Sequence, residues 1–179
     1  QRALFIIYGS DSFSVSIIVS GFMMGLGLGS LLGGHLSNRF ADRRIEIFAL
    51  CECLIGVFGA FSLDIFSEIG RTTAGGSLLN TGIVTFSLIV IPTLLMGATL
   101  PLLVAWFVRK IGHVGRAVGR LYSVNVVGSA IACFACAFLL MSQFGLHGTV
   151  GIAAGINFVV AATAMTFKWK FGEPTKGAS

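Results

Sequence analysis

The sequence predicts an all-α fold, a polytopic membrane helix bundle with about five transmembrane helices. Three observations predict it. Charged residues make up 11% of the chain, against roughly a quarter in soluble domains, and hydrophobic residues make up 55%. Five apolar runs each reach the ~20 residues that cross a bilayer. The loops between those runs carry their basic residues on one side only of an alternating layout. The net charge of +5 therefore has a membrane explanation and needs no nucleic-acid partner.

The first run covers about 13–34 and reads "SGFMMGLGLGSLLGG". Gly21, Gly25, Gly29 and Gly33 recur every four residues and line one face of a helix. Lipid gives helices no hydrophobic reason to associate, so close backbone contact has to hold them together. Either a neighbour in the bundle or a second copy in a homo-oligomer fits such a stripe. The presence of several helices favours the neighbour.

The second run, about 45–66, carries Glu52 about two turns in, within "ALCECLIG". A carboxylate in a membrane helix is costly, which makes Glu52 a candidate to bind a cation, carry a proton or pair with a basic group. The competing reading has it reach the interface, or hydrogen-bond while protonated.

The third run, about 79–108, contains "PTLLMGATLPLL" at 92–103. A straight helix of that length spans about 45 Å, more than the hydrocarbon core. Pro92 and Pro101 each remove a backbone donor and crowd the carbonyl four residues earlier. The carbonyls of Leu88 and Gly97 then need a partner from protein or water. Two readings follow: a kink covered by neighbouring helices, or a broken-helix site of the kind transporters use.

The fourth run, about 121–141, has Asn125 near its start, and Gly128, Ala132 and Cys136 at the glycine spacing. The fifth, about 148–167, repeats the device with Gly151 and Gly155 and carries Asn157 midway. Both asparagines are candidates for interhelical hydrogen bonds. The short link "SQFGLH" predicts that these two helices are antiparallel neighbours.

Ten of the twelve Lys and Arg residues fall on one side of this layout. They include Arg39, Arg43 and Arg44 beside Asp42, then Arg109, Lys110, Arg116 and Arg120, then Lys168, Lys170 and Lys176. The positive-inside rule places that side in the cytoplasm. The expectation is a multi-pass protein of the inner or plasma membrane, with 1–12 outside, 13–167 in the bilayer and a cytoplasmic tail at 168–179. The opening "QRALFIIYGSDSFS" has no initiator methionine and reads as the start of a fragment.

No catalytic, cofactor-binding or metal-ligating constellation is expected. Cys133 and Cys136 have C-x-x-C spacing, but they lie in an apolar run where a thiolate is costly to form. "GLGLGS" lies inside a membrane helix and not between a strand and a helix, as a dinucleotide loop would.

"GFMMGLGLGSLLGGHLSNRFADRR" resembles the second span and following loop of major facilitator transporters. Gly34, Leu36, Arg39 and Arg43 match that pattern. Asn38 stands where an aspartate is expected and Ala41 where a glycine is expected. The missing aspartate weighs against facilitator-type gating. The chain more fully resembles the membrane portion of fused proteins that join facilitator-like helices to a spermidine-synthase-like domain. The glycine-rich span, Glu52, "MGATLPLL" at 96–103, "VGRLYSVNVVGSAIA" at 118–132 and the Gly145–Leu146–His147 element carry that resemblance, which departs at Val126, where threonine is usual. It implies a partial facilitator-like fold, a preceding helix, and a cytoplasmic polyamine aminopropyltransferase domain as partners. It leaves three readings open: a polyamine path or anchor beside that enzyme, a partial secondary transporter, or a structural module.

Overall fold

A computed structural model describes residues 12–73 and 78–171. Among them the chain is all-α: α1 (Ser12–Arg39), α2 (Arg44–Thr73), α3 (Leu78–Ile111), α4 (Val114–Ala135), a single π turn (Cys136–Leu140) and α5 (Met141–Phe171). Four helical runs among the described residues are long and apolar enough to span a membrane: Val15–Arg39, Arg44–Arg71, Gly82–Ile111 and Val114–Lys170. In hydrocarbon every backbone group has to be satisfied within its own segment, which is what long unbroken helices achieve.

The count differs from the five runs read in the sequence. The fourth run, Val114–Lys170, contains both the fourth and fifth expected helices, and a kink at Gly145, inside the link "SQFGLH", separates them. The π turn lies just before the link, and within the link Gly145 (φ 63°, ψ −167°) departs from helical torsions. The expected ends of the chain, 1–12 and 168–179, lie largely outside the described residues.

α3 is the centre of the bundle. It packs along α1 on one side and α2 on the other, and α2 in turn packs against α5. The α1–α3 contact is made by backbone. A Cβ at Gly25 would strike the Thr93 side chain, one at Gly29 the Leu94 carbonyl, and one at Gly33 the Ala98 backbone. Gly21 sits against the Phe86 ring, 3.2 Å from a Cβ built on it. The fit is reciprocal, since a Cβ at Gly97 would strike the Leu26 backbone. The pairs advance together along both helices, so α1 and α3 run parallel.

α2 and α5 run antiparallel. Gly56 faces Phe158 and Ala154, and Gly59 faces Ala154. Gly151 and Gly155 have nothing within 4 Å, so the small residue that seats α5 is Ala154 and not the glycine repeat. The core forms where four helices meet. Phe48 and Cys51 of α2 and the fully buried Leu102 of α3 are flanked by Leu36 of α1 and Ala164 of α5.

α4 departs from expectation. It touches α3, and the π turn touches α5, but α4 has no extended contact with α5. The two are not packed neighbours, because α5 is seated on α2 through Gly56 and Gly59. From Val118 to Phe134 only Leu121 is even half-buried.

Candidate functional site

Two features bring polar groups together in this apolar bundle: the proline-bearing segment of α3 and the basic end of the bundle.

α3 runs unbroken through Pro92 and Pro101. The Ser30 hydroxyl on α1 donates to the Gly97 carbonyl at 3.2 Å. That carbonyl lies four residues before Pro101, so α1 supplies the donor that the proline lacks. The glycine stripe makes this reach feasible, because Gly29 and Gly33 bracket Ser30 and hold the backbones close. Near Pro92 the Thr93 hydroxyl donates to Ile89 O at 2.8 Å, within its own helix, and the neighbouring residues Ile91, Leu94 and Leu95 face an apolar groove. That groove, of about 550 Å3 between α2 and α3, is lined on the α2 side by Leu54, Phe58 and Phe61.

The remaining candidates are dispersed. Glu52 is half-exposed and does not line that groove. It lies one helical turn before Gly56, on the side of α2 turned toward α5. Its carboxylate makes no hydrogen bond or ion pair among the described residues. Asn125 is exposed on α4. The Asn157 amide donates to Ala153 O at 3.0 Å, within its own helix. Glu52, Asn125, Asn157 and the two prolines therefore do not converge on one cavity.

The basic end is more closely knit. Nine of the twelve Lys and Arg residues sit there, at the ends of all five helices: Arg39, Arg43, Arg44, Arg109, Lys110, Arg116, Arg120, Lys168 and Lys170. Arg44 is buried, and its Nε donates to Ser37 O at 2.8 Å, one of the last carbonyls of α1. Its Nη1 reaches Ala105 O of α3 at 3.4 Å. One guanidinium thus caps α1 and ties it to α2 and α3. Arg109 Nη1 donates to Ala41 O at 2.9 Å and to Asp42 Oδ1 at 3.2 Å, holding the α1–α2 turn against α3.

Lys168 Nζ donates to Glu46 Oε1 at 2.6 Å, joining α5 to α2, and Arg43 approaches the same carboxylate at 3.9 Å. The Lys110 ammonium lies 5.2 Å from the Trp106 ring centre and 5.0 Å from that of Phe167, a cation–π contact that joins α3 to α5. Arg116 and Arg120 are exposed on the first two turns of α4. Gly112, at φ 75°, ends α3 by donating its N–H to Val108 O at 2.9 Å.

Sequence reasoning did not single out Arg44, Glu46 or Trp106 for these roles, and it marked the Gly97 carbonyl as needing a partner without naming Ser30. Glu46 had a local signal, an acid in the first turn of a helix. The arrangement can brace helices and present positive charge. Among the described residues there is no group of three or more His, Cys, Asp and Glu side chains placed to hold a metal. Comparison with protein-family models, curated proteins and solved structures finds no match to this chain. The class that fold and composition define is a multi-span helical membrane protein.

Proposed function

We propose that this chain is a membrane anchoring and bracing module, of the kind that stands beside a spermidine-synthase-like enzyme, with its basic end in the cytoplasm. The observation that carries the reading is the Ser30–Gly97 hydrogen bond. A broken helix that served a cation would leave its freed carbonyl open to a hydrated cavity. Here that carbonyl already has a donor, and the groove beside Pro92 is apolar. The helix ends are meanwhile tied by Arg44, Arg109 and Lys168, as suits a rigid support.

The test is spermidine binding to the purified chain in lipid nanodiscs, by calorimetry. No binding is expected. Saturable binding that Glu52→Gln abolishes would replace the anchor with a polyamine path. The partner assignment has its own test. An α/β domain with an acidic donor-binding loop, encoded downstream in the same reading frame, is expected; further spans there would favour a secondary transporter. Orientation is tested by labelling cysteines placed at Val118 and Gly75. Cytoplasmic Val118 and external Gly75 are expected from the charge asymmetry.

A second reading rests on Glu52. A carboxylate without an ion pair in a spanning helix is a functional candidate by default. It makes secondary transport the alternative, which further spans in the downstream reading frame would favour.

A further inference from the structure

We infer that α4 carries a binding site for an anionic membrane lipid, with Arg116 and Arg120 holding the headgroup phosphate and the stripe Val124, Val127, Ile131 and Phe134 receiving an acyl chain. The charge balance of the basic end sets the problem. Among the described residues that end holds nine cations and two carboxylates, Asp42 and Glu46. Both carboxylates are engaged, Asp42 by Arg109 and Glu46 by Lys168 and Arg43. Arg116 and Arg120 are exposed and have no hydrogen bond or ion pair among the described residues. Their spacing of four puts their Cβ atoms about 6 Å apart on one face of the helix. Like charges so placed repel, and an anion between them offsets that repulsion.

The face that presents them changes character along its length. At about 100° per residue, Arg116, Arg120, Val124, Val127, Ile131 and Phe134 fall within an arc of roughly 80°. That arc carries two arginines in the first two turns of α4 and only bulky apolar side chains beyond them, all exposed. The adjoining side carries Ala117 and Leu121, which turn into the bundle. From Val124 to Phe134 the stripe is about 15 Å long, half the ~30 Å hydrocarbon core and so the depth of one leaflet. Arg120 stands about 6 Å before the stripe and Arg116 about 12 Å, within reach of the headgroup layer for long side chains. Trp169, 91% exposed at the same end of the bundle, marks that depth independently, since tryptophan collects at the membrane–water interface.

Charge and length together name the occupant. A guanidinium offers a fork of N–H donors that matches phosphate oxygens in pairs, and two of them on successive turns suit one phosphodiester. An inorganic phosphate would engage the arginines and leave the stripe idle. A zwitterionic lipid would cover the stripe but bring its own cation to the arginines. An anionic lipid satisfies both along one line, and basic residues beside a spanning helix attract such lipids. The contrast with Arg44, Arg109 and Lys168 supports the assignment, because those cations are engaged by carbonyls and carboxylates of the chain itself. The inference rests on the chain spanning a bilayer. It is independent of the partner enzyme and of the side that the basic end faces.

The experiment reads lipid occupancy at the stripe by fluorescence quenching. The full chain carries Val127→Trp, with Trp169→Phe to remove the exposed native fluorophore and the buried Trp106 kept as background. In phosphatidylcholine vesicles, phosphatidylglycerol with brominated acyl chains should quench at a lower mole fraction than brominated phosphatidylcholine. Arg116→Gln or Arg120→Gln should weaken phosphatidylglycerol association about 5-fold, and both together about 30-fold. The pair Arg116→Lys and Arg120→Lys, which keeps both charges, should retain most of it. Arg39→Gln, on α1, should leave it unchanged. Thermal unfolding at the parent temperature shows that each variant is intact. Inorganic phosphate in the bath should not displace the lipid; displacement would make this a simple anion site and overturn the acyl-chain assignment. Equal quenching by the two lipids overturns the inference, and leaves the arginines to an acidic segment of another polypeptide. A preference that survives the double glutamine change overturns it too, by moving the lipid to other cations. No quenching by either lipid overturns it together with the membrane reading.

Discussion

The Ser30 hydroxyl donates to the Gly97 carbonyl at 3.2 Å, and Gly97 lies four residues before Pro101. One helix thus repairs the hydrogen-bonding gap in another. Ser30→Ala should destabilise the protein by about 0.5–1 kcal/mol, the usual worth of one hydrogen bond in this setting. The decisive measurement is a double-mutant cycle by unfolding in detergent. Pro101→Ala restores an N–H within reach of the same carbonyl, so Ser30→Ala should cost almost nothing in that background. Equal costs in both backgrounds would show that Ser30 and Pro101 act independently.

The glycines of α1 differ in what surrounds them, and substitutions should sort accordingly. Gly25→Leu and Gly29→Leu drive atoms into Thr93 and the Leu94 backbone, and should separate α1 from α3. Each should lower the unfolding temperature well beyond Leu28→Ile, a change at an exposed position. Gly27 has open space around it, so Gly27→Ala should be neutral or stabilising by up to about 1 kcal/mol. Similar melting temperatures for all four variants would mean that the stripe is not the α1–α3 contact.

What the sequence made legible was whatever repeats locally. The four-residue glycine period, the prolines and the one-sided basic loops are read from spacing alone, and they foretold helices, an unusual α3 and a charged end. Pairings between distant residues were not legible. Glu46 and Lys168 are 122 positions apart, and nothing in either neighbourhood names the other. Periodicity also misled where two phases were available. Gly151 and Gly155 share a spacing with the stripe of α1, yet α5 turned Ala154 inward because Gly56 and Gly59 of α2 accept a methyl group there. Composition marked "SQFGLH" as a link, and Gly145 within it does break the helical torsions, but the π turn at 136–140 just before it left no sign in the sequence. The Ser30–Gly97 bond needed the phase of two helices at once, so only half of it, the orphan carbonyl, was readable.

The Lys168–Glu46 pair predicts a reciprocal charge rescue. Lys168→Glu places two carboxylates together where α2 and α5 are joined, and it should lower stability. Glu46→Lys alone should also lower it, because Arg43 and Lys168 both face that position. The double reversal should recover much of the loss, though not all, since Arg43 would then face an ammonium in place of a carboxylate. Melting curves at low and high salt provide the check, as the single-variant losses should shrink when salt screens them. Losses that simply add in the double variant would remove the pair from the forces holding α5 to α2.

Gly145 decides how α5 returns to the bundle. Its φ of 63° and ψ of −167° lie in a region that side-chain-bearing residues hardly occupy. Its carbonyl accepts the Thr149 hydroxyl at 2.6 Å, which starts the next helical stretch in a fixed direction. At the same place a Cβ on Gly148 would fall 2.6 Å from the Phe144 Cβ, so the chain folds back tightly enough to need a second glycine. Gly145→Ala should therefore cost about 1–3 kcal/mol if the turn persists. If the turn instead straightens, α5 is drawn away from α2, and the distance between spin labels at Ser62 and Ile152 should lengthen. Gly151→Ala is the matched control, being an open site with helical torsions, and it should be neutral or mildly stabilising. Unfolding in detergent and the spin-label distance are measured on all three proteins. If Gly145→Ala matches Gly151→Ala in both readouts, the chain does not depend on that glycine to turn α5 back onto α2.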